Sequence, residues 1–269
     1  MSHRANMAGD GDSAPLVLAQ RDGGRLDLCL NRPQRFNPLS ADMLAALQQE
    51  LKVAAADDSL RCVVLSASGK AFSAGHDLRQ MRDNPQLDYY RWLFGICADL
   101  MRQITALPVP VIARVQGVAT AAGCQLVAGC DLAVAADTAR FAVSGINVGL
   151  FCSVPAVALS RNIASKPAFE MLVTGRFIDA QTALDWGLVN AVVPAEQLDA
   201  AVDELVASIL AKSAAAIRHG KALFYRQRES SRSEAYDLAC EVMAQNMMED
   251  DAREGVDAFF DKRPPVWRN

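Results

Sequence analysis

Two short segments carry small residues where exposed backbone amides could stabilise a negative charge. Residues 69–81 read GKAFSAGHDLRQM, and residues 117–129 read GVATAAGCQLVAG. The second segment opens a predicted helix, whose first N–H groups have no partner inside the helix and lie at the positive end of its dipole. In the first segment, Ala74 and Gly75 let a ligand approach the backbone closely. One amide from each segment, directed at a single oxygen, would form an oxyanion hole.

The same small residues have a second interpretation, because small residues at a helix start are by themselves more typical of close packing. The spacing of the residues does not decide between packing and catalysis. Cationic side chains nevertheless gather near the first segment and near the C-terminus. They would suit a phosphate-bearing ligand through charge-assisted hydrogen bonds, although each one alone is typical of a solvated surface. These cations are Lys70, Arg79, Arg82, Lys262 and Arg263.

The elements that position these segments are predicted from hydrophobic periodicity. Two strands are predicted around the turn at residues 22–24, and Ser40 is a predicted helix N-cap. Apolar residues at helical spacing follow that cap. Further strands alternate with helices, which predicts an α/β core with buried strands. The later predicted strands are residues 61–67, 109–117, 131–137 and 140–143.

The end of the chain has a different pattern. From about Ser160 onward only helices are predicted. We expect a disordered leader at residues 1–13, an α/β core at 14–200 and a C-terminal helical region at 201–269. The helical region is expected to pack on the core or on a neighbouring subunit.

The composition excludes several classes of function. The 269 residues have a net charge of −4, which argues against a nucleic-acid-binding protein. No apolar run approaches the roughly 18 residues that a membrane span needs. The seven cysteines form no CxxC pair and the three histidines lack ligand spacing, so we expect neither disulfides nor a metal site. A soluble protein of a reducing compartment, the cytoplasm, is the expectation.

Several motifs in a fixed order resemble the crotonase (enoyl-CoA hydratase/isomerase) superfamily. The resemblance runs from about Leu16 to the C-terminus, and AAGCQLVAGCDLAVA and NVGLFCSVP are most similar to its enoyl-CoA hydratase domain-containing subgroup. It implies a crotonase-type spiral of ββα turns with a C-terminal helical trimerisation region. The motifs are KAFSAGHDL, GVATAAGCQLVAGCDLAVAAD, FAVSGINVGL, EMLVTGRFIDAQTALDWGLVNAVVP and EGVDAFFDKR.

The resemblance also implies a substrate and its binding residues. The substrate would be an acyl-CoA thioester, with coenzyme A as part of it and no separate cofactor, bound by a homotrimer or a dimer of trimers. The thioester oxygen would accept the backbone N–H groups of His76 and Ala122, which stabilise an enolate. Arg35 and Phe36 would line the CoA entrance. The other substrate-binding positions that the resemblance implies are Ala74, Asp77, Leu78, Gly145, Cys152, Phe259 and Lys262.

Some of these side chains have more than one interpretation. His76 would act through its backbone N–H, and its imidazole takes part in chemistry only in a minority interpretation. Asp77 is more typical of a residue that fixes the loop than of a base. Phe259 and Lys262 correspond to the adenine and phosphate contacts of the family, which a neighbouring subunit can supply.

Two positions depart from the hydratases that the chain resembles. Gln125 and Gly145 stand where those enzymes have the two glutamates that hold and activate a water molecule. Neither residue can act as a general base, and general acid–base catalysis contributes about 10²–10⁴-fold. We therefore do not expect ordinary hydratase activity, although an oxyanion hole made of backbone would be retained.

The sequence does not decide which side chain transfers a proton to or from the acyl group. Gln125 could orient a water or an acyl group, and Cys152 lies where the family lines the acyl pocket, but pocket lining or core packing is the more typical role of both. FSAGHDL and NVGL also resemble methylmalonyl-CoA decarboxylases, which place a tyrosine near the position of Cys152. A reaction of that decarboxylase type is the first alternative function, and an acyl-CoA-binding protein without turnover is the second.

Overall fold

The computed structural model of the protein describes residues 14–268, so the predicted leader at residues 1–13 lies outside the described residues. Within that range no helix is long and apolar enough to cross a membrane. The same range contains no group of three or more His, Cys, Asp or Glu side chains arranged to hold a metal ion.

Among residues 14–268, ten strands form a six-stranded and a four-stranded sheet. The large sheet has the order β1-β2-β3-β5-β7-β10 and is parallel except for the β1–β2 hairpin; the small sheet has the order β4-β6-β8-β9. The strands are β1 Val17–Asp22, β2 Arg25–Leu30, β3 Cys62–Ala67, β4 Ala71–Ser73, β5 Val111–Val115, β6 Val118–Thr120, β7 Leu132–Ala136, β8 Arg140–Ala142, β9 Ile178–Asp179 and β10 Ala191–Val193.

Eleven α-helices cover or extend from these sheets within the described residues. The predicted Ser40 cap is confirmed, because its side chain accepts the Met43 N–H at the start of the first helix. The helices are α1 Ala41–Ala55, α2 Leu78–Asp83, α3 Leu87–Ala106, α4 Ala122–Gly129, α5 Ser153–Asn162, α6 Ser165–Thr174, α7 Ala180–Asp185, α8 Leu198–Leu210, α9 Ala214–Gln227, α10 Arg232–Met247 and α11 Asp250–Asp261.

The chain repeats one unit, and this repeat confirms the predicted spiral of ββα turns. A strand of the large sheet is followed by a strand of the small sheet and then by helix: β3–β4 leads to α2 and α3, β5–β6 to α4, and β7–β8 to α5. The apolar face of α1 and the interior of both sheets share one buried core. Each turn of the spiral therefore rests on the one before it.

The strands differ from the sequence-based expectation in three ways. β4 was expected to be part of an open loop, yet all three of its residues are buried. The strand expected at residues 109–117 is the shorter β5, and the unpredicted β6 follows after Gly117, which packs so closely on the Lys70 carbonyl that a Cβ would lie 2.1 Å from its oxygen. The expectation that strands stop near Ser160 is wrong, since β9 and β10 each complete a sheet.

The C-terminal helices begin on the core and then leave it. α8 packs on the large sheet and includes both residue 200 and residue 201, between which the division of core and helical region was predicted. That division stays a prediction. α9 is fixed to the core by Lys221, whose ammonium donates to the Asp131 carboxylate at 2.6 Å and to the carbonyls of Ile104 and Val109 at 2.9 and 2.8 Å. Tyr225 donates to the other Asp131 oxygen at 2.7 Å.

Candidate functional site

The small sheet brings the two amide-bearing segments together. β4 and β6 are parallel neighbours in it, and residues 74–77 follow β4 while α4 follows β6. Since the carboxyl ends of adjacent parallel strands meet at one edge of a sheet, the segment after each strand emerges at the same place. The convergence expected from the small residues thus has a cause in the sheet topology.

Gly75 and the start of α4 are in direct contact. A Cβ built on Gly75 would lie 3.1 Å from the Ala122 nitrogen, 3.0 Å from the Thr120 carbonyl oxygen and 2.9 Å from the Ala121 Cβ. Within residues 14–268, neither the His76 nor the Ala122 amide donates a hydrogen bond to another group of the chain. Two N–H groups on touching segments are therefore free for an external acceptor.

Ala121 adopts a conformation that L-residues rarely take. Its φ is 50° and its ψ is −121°, a region that favours glycine. Its N–H donates to the Ala142 carbonyl at 3.0 Å and its carbonyl accepts the Gln125 N–H at 3.1 Å, so both sides of the residue are held. Because ψ of Ala121 orients the next peptide plane, this strained residue sets the direction of the Ala122 N–H.

A second loop runs beside the segment after β4. The Ala74 N–H donates to the Phe36 carbonyl at 2.9 Å, and the Leu39 N–H donates to the Gly75 carbonyl at 2.8 Å. Phe36 has a φ of 60° and a side chain that is 54% exposed. The buried Asn37 also has positive φ and donates to the carbonyls of Ser68 and Ala71 at 2.9 Å each. The expected CoA-entrance residues therefore lie next to the free amides.

Asp77 fixes this region in two ways. Its carboxylate accepts the backbone N–H groups of Arg79 and Gln80 at 3.0 and 3.4 Å, so it caps α2. Its other oxygen lies 2.6 Å from the Arg35 guanidinium. Leu78, the first residue of α2, exposes 55% of its side chain beside the loop. Each of these interactions of the Asp77 carboxylate holds the loop in place.

The role of Asp77 can be tested with two substitutions. We expect Asp77→Ala to lower the free energy of unfolding by about 1 kcal/mol, whereas Asp77→Asn keeps most of the cap because Asn is an equally good N-cap. Both effects are measured by urea unfolding. A loss of turnover of about 10²-fold or more in a stable Asp77→Asn protein would instead identify Asp77 as a general base.

The His76 imidazole is half-buried and neutral. Its Nδ1 lies 3.2 Å from the Leu39 carbonyl oxygen, and because a carbonyl only accepts, Nδ1 carries the proton. Its ring lies 5.5 Å from the Phe94 ring. Burial lowers the pKa of His76, and the Leu39 hydrogen bond only partly opposes this. The imidazole therefore supports the loop while the backbone N–H stays free.

This lowered pKa predicts a pH dependence of stability. The unfolded chain binds a proton near pH 6.5, before the folded protein does, so stability from the neutral imidazole is present above that pH and is lost as the pH falls toward the folded pKa. We expect the free energy of unfolding to fall more steeply between pH 7 and 5 in the wild type than in His76→Asn. Parallel curves in urea titrations would contradict this.

Gln125 lies on α4 one turn beyond Ala122. It is only 3% exposed. Its Oε1 is 3.9 Å from the Cys97 thiol sulfur of α3, and no other hydrogen-bond partner of its side chain occurs among residues 14–268. Burial raises the pKa of Cys97 to about 12, so the thiol keeps its proton and acts as the donor. The nitrogen of the Gln125 side-chain amide therefore lies on the side away from Cys97.

Gly145 and Cys152 close the same region from the next turn of the spiral. A Cβ at Gly145 would lie 2.7 Å from the Cys152 sulfur and 2.6 Å from the Leu150 carbonyl oxygen. The Thr120 and Ser144 hydroxyls, 2.7 Å apart, join this loop to the end of β6. Burial raises the pKa of the Cys152 thiol, which keeps it protonated. Position 145 thus has no room for a glutamate unless the loop rearranges.

Phe259 and Lys262 do not join this site within one chain. Phe259, 77% exposed, lines a cavity of about 510 Å³ together with Ser213, Asn246 and Trp267 on the C-terminal helices. Lys262 ends α11 with a φ of 55°. A larger cavity of about 890 Å³ lies between α9 and α10, also remote from the free amides. Both cavities therefore lie on the C-terminal helical region and not at the free amides.

Four features of the site escaped the sequence-based reasoning. The strain at Ala121 and the contact between Gly75 and Ala122 depend on tertiary structure. The Cys97–Gln125 hydrogen bond joins residues of two helices, and no local pattern indicates it. The Tyr89 hydroxyl is enclosed without a hydrogen-bond partner in the described chain, and no local pattern indicates this either.

Comparison with known proteins identifies relatives over nearly the whole chain. The sequence model of the family described as enoyl-CoA hydratase/isomerase matches residues 22–269. A mitochondrial enoyl-CoA hydratase domain-containing protein 3 from Xenopus laevis is 45% identical over 253 residues, which cover 94% of this chain and 86% of the relative.

Two crystal structures have closely similar folds. Enoyl-CoA hydratase from Mycobacterium smegmatis superimposes with a TM-score of 0.94 and 58% identity, covering 95% of this chain and 100% of the other. Human enoyl-CoA hydratase domain-containing protein 3 gives a TM-score of 0.92 and 43% identity, covering 94% and 100%. The expected crotonase-type fold is confirmed.

The expected cytoplasmic localisation is wrong. The composition favoured a cytoplasmic protein, but the relatives from Xenopus laevis, Mus musculus and Homo sapiens are named as mitochondrial proteins. Scattered reduced cysteines and a low net charge do not distinguish one reducing compartment from another, which explains the error.

Proposed function

Because this chain belongs to the enoyl-CoA hydratase/isomerase family, we propose that it is an enzyme that binds an acyl-CoA thioester and stabilises its enolate. The thioester oxygen accepts the N–H groups of His76 and Ala122. Negative charge that develops on this oxygen is stabilised, so the acyl α-carbon can lose or gain a proton.

The contact of Gly75 with the start of α4 carries this proposal. It brings two amides without internal acceptors to one edge of the small sheet. Ala121 is strained, and backbone strain of this kind is typical of sites where geometry is fixed for function. The Arg35–Asp77 pair and the exposed Phe36 border the same edge and provide the CoA entrance.

The proposed reaction is not ordinary hydration. Gln125 has no basic group near neutral pH, and Gly145 has neither a side chain nor space for one. Cys152 holds its proton because burial raises its pKa. With these three residues in the region of the acyl group, the site retains electrostatic stabilisation and lacks the two carboxylates that activate water.

A decarboxylation is the second candidate reaction. In a malonyl-type thioester the bond between the α-carbon and the carboxylate breaks, CO₂ leaves, and the electron pair forms the enolate, which then takes a proton from water. No base is needed to start this reaction, which suits the absence of a carboxylate at positions 125 and 145. An acyl-CoA-binding protein without turnover is the remaining alternative.

We also propose that the C-terminal helices bind neighbouring copies of the chain, as a trimer or a dimer of trimers. Large apolar side chains there are exposed, which is typical of interfaces. Light scattering of the purified protein would give the assembled mass, and a monomer would contradict this proposal. The exposed residues include Tyr236, Met243, Met248, Phe259 and Phe260.

A single substitution tests the proposed oxyanion hole. Ala122 is the first residue of α4, so proline there removes an N–H that has no intrahelical partner. The proline ring also crowds Ala121, so circular dichroism must first show that the variant is folded. We expect Ala122→Pro to lower the rate of α-proton exchange or decarboxylation by about 10²–10³-fold. The control is Arg232→Pro, at the same position of the remote helix α10. Undiminished turnover in a folded Ala122→Pro protein would contradict the assignment.

A further inference from the structure

The side-chain amide of Gln125 is held in one orientation. The Cys97 thiol, which is fully buried, donates to Gln125 Oε1 over 3.9 Å. Since the thiol keeps its proton, the accepting end of the amide is the end that faces it. Both N–H donors of the amide therefore lie on the side away from α3.

The Gln125 nitrogen remains available to a ligand. It has no hydrogen-bond partner among residues 14–268, yet it does not belong to the fully enclosed polar atoms that lack partners there. It therefore still borders a space that solvent reaches. An almost buried donor without an acceptor is unfavourable, so a bound group that supplies an oxygen would be favoured at this position.

The position of Gln125 relative to the free amides restricts which part of an acyl group it can meet. It follows Ala122 by three residues on α4, so the two residues are neighbours on the helix surface, about 4.5 Å apart along the axis. An acyl carbonyl bound at the Ala122 N–H would place its α- and β-carbons next to this face. The β-substituent is the group within reach of Gln125.

We infer, on the basis of the proposed acyl-CoA function, that Gln125 donates a hydrogen bond to an oxygen on the acyl β-carbon, so that the substrate is a β-keto or malonyl-type acyl-CoA. A saturated or simple 2-enoyl chain offers no acceptor there. Cys97 is a positioning residue in this arrangement, because it holds Oε1 and so directs the donors toward the acyl group.

Calorimetric titration of the wild-type protein tests the inference first. Acetoacetyl-CoA and malonyl-CoA carry the β-oxygen, whereas 3-methylbutanoyl-CoA has a similar shape without it. We expect at least one of the two oxygen-bearing thioesters to bind about tenfold more tightly than 3-methylbutanoyl-CoA. Which of them is preferred distinguishes a ketone from a carboxylate. In Gln125→Leu the ratio between the affinities for the oxygen-bearing thioesters and for 3-methylbutanoyl-CoA is expected to fall to about one.

Cys97 variants separate positioning from a general effect on the fold. We expect Cys97→Ala to reduce the preference and Cys97→Ser, which keeps a donor, to restore it. An equal loss of affinity for all three thioesters in Cys97→Ala would show a purely structural role and contradict the positioning role.

The outcomes also distinguish this inference from the proposed function. If 3-methylbutanoyl-CoA binds the wild-type protein as tightly as both β-oxygen thioesters, the inference is wrong and the acyl-CoA function stands. If none of the three thioesters binds, both are wrong.

Discussion

Gly75→Ala is expected to lower the rate of enolate formation by about 10²–10³-fold, the usual effect of losing one oxyanion-hole donor. The new methyl group would lie 3.1 Å from the Ala122 nitrogen and 2.9 Å from the Ala121 Cβ. It must push the two segments apart or cover the Ala122 N–H. The His76 and Ala122 N–H groups then no longer donate to one oxygen. Single-turnover measurement of α-proton exchange or CO₂ release gives the rate.

Gly187→Ala is the matched control for this substitution. Gly187 has a φ of +84°, against +86° for Gly75, but a Cβ there meets its nearest atom, the Asn162 oxygen, at an ordinary 3.7 Å. Both variants carry the backbone strain of about 1–2 kcal/mol that an L-residue has at positive φ. Only Gly75→Ala changes the site. Equal rates in the two variants would contradict the proposed role of the Gly75–Ala122 contact.

Lys221→Met is expected to lower the free energy of unfolding by about 3–5 kcal/mol. Lys221 is only 9% exposed, and its ammonium ion neutralises Asp131 2.6 Å away. The substitution leaves the Asp131 carboxylate almost buried beside Tyr225 and the Val111 N–H, without the ammonium ion that it pairs with in the wild type. The loss is measured by urea unfolding monitored by circular dichroism.

Two further variants show whether the charge or the packing is responsible. Tyr225→Phe removes one hydrogen bond to Asp131 and is expected to cost about 1 kcal/mol. The double variant Lys221→Met, Asp131→Asn removes both charges and is expected to recover part of the loss. A Lys221→Met protein within about 1 kcal/mol of the wild type would show that this cluster does not hold α9 to the core.

Local patterns were sufficient for much of the fold. The Ser40 cap and the apolar residues of α1 were predicted because the cap and the helical period are local signals. β4 and β6 were missed because each has three residues, too few to show a period, and because the break at Gly117 depends on its contact with Lys70. Tertiary packing decides elements of this length.

Local patterns predicted less of the site than of the fold. The motifs of the family, and not the periodicity, pointed to His76 and Ala122, since a backbone amide leaves no signature in residue type. The structure adds the contact of Gly75 with Ala122, the strain at Ala121 and the orientation of Gln125. Each of these depends on residues from different turns of the spiral, which no single segment of sequence reveals.

The most direct measurement is mass spectrometry of acyl-CoA thioesters incubated with the wild-type protein in D₂O. The set contains a saturated, a 2-enoyl, a β-keto and a malonyl-type thioester. Deuterium on the α-carbon of at least one thioester, or loss of CO₂ from the malonyl-type one, is the predicted result. Efficient addition of water to the 2-enoyl thioester would contradict the account of Gln125 and Gly145. Thioesters that bind and stay unchanged would contradict enolate formation and leave a binding protein.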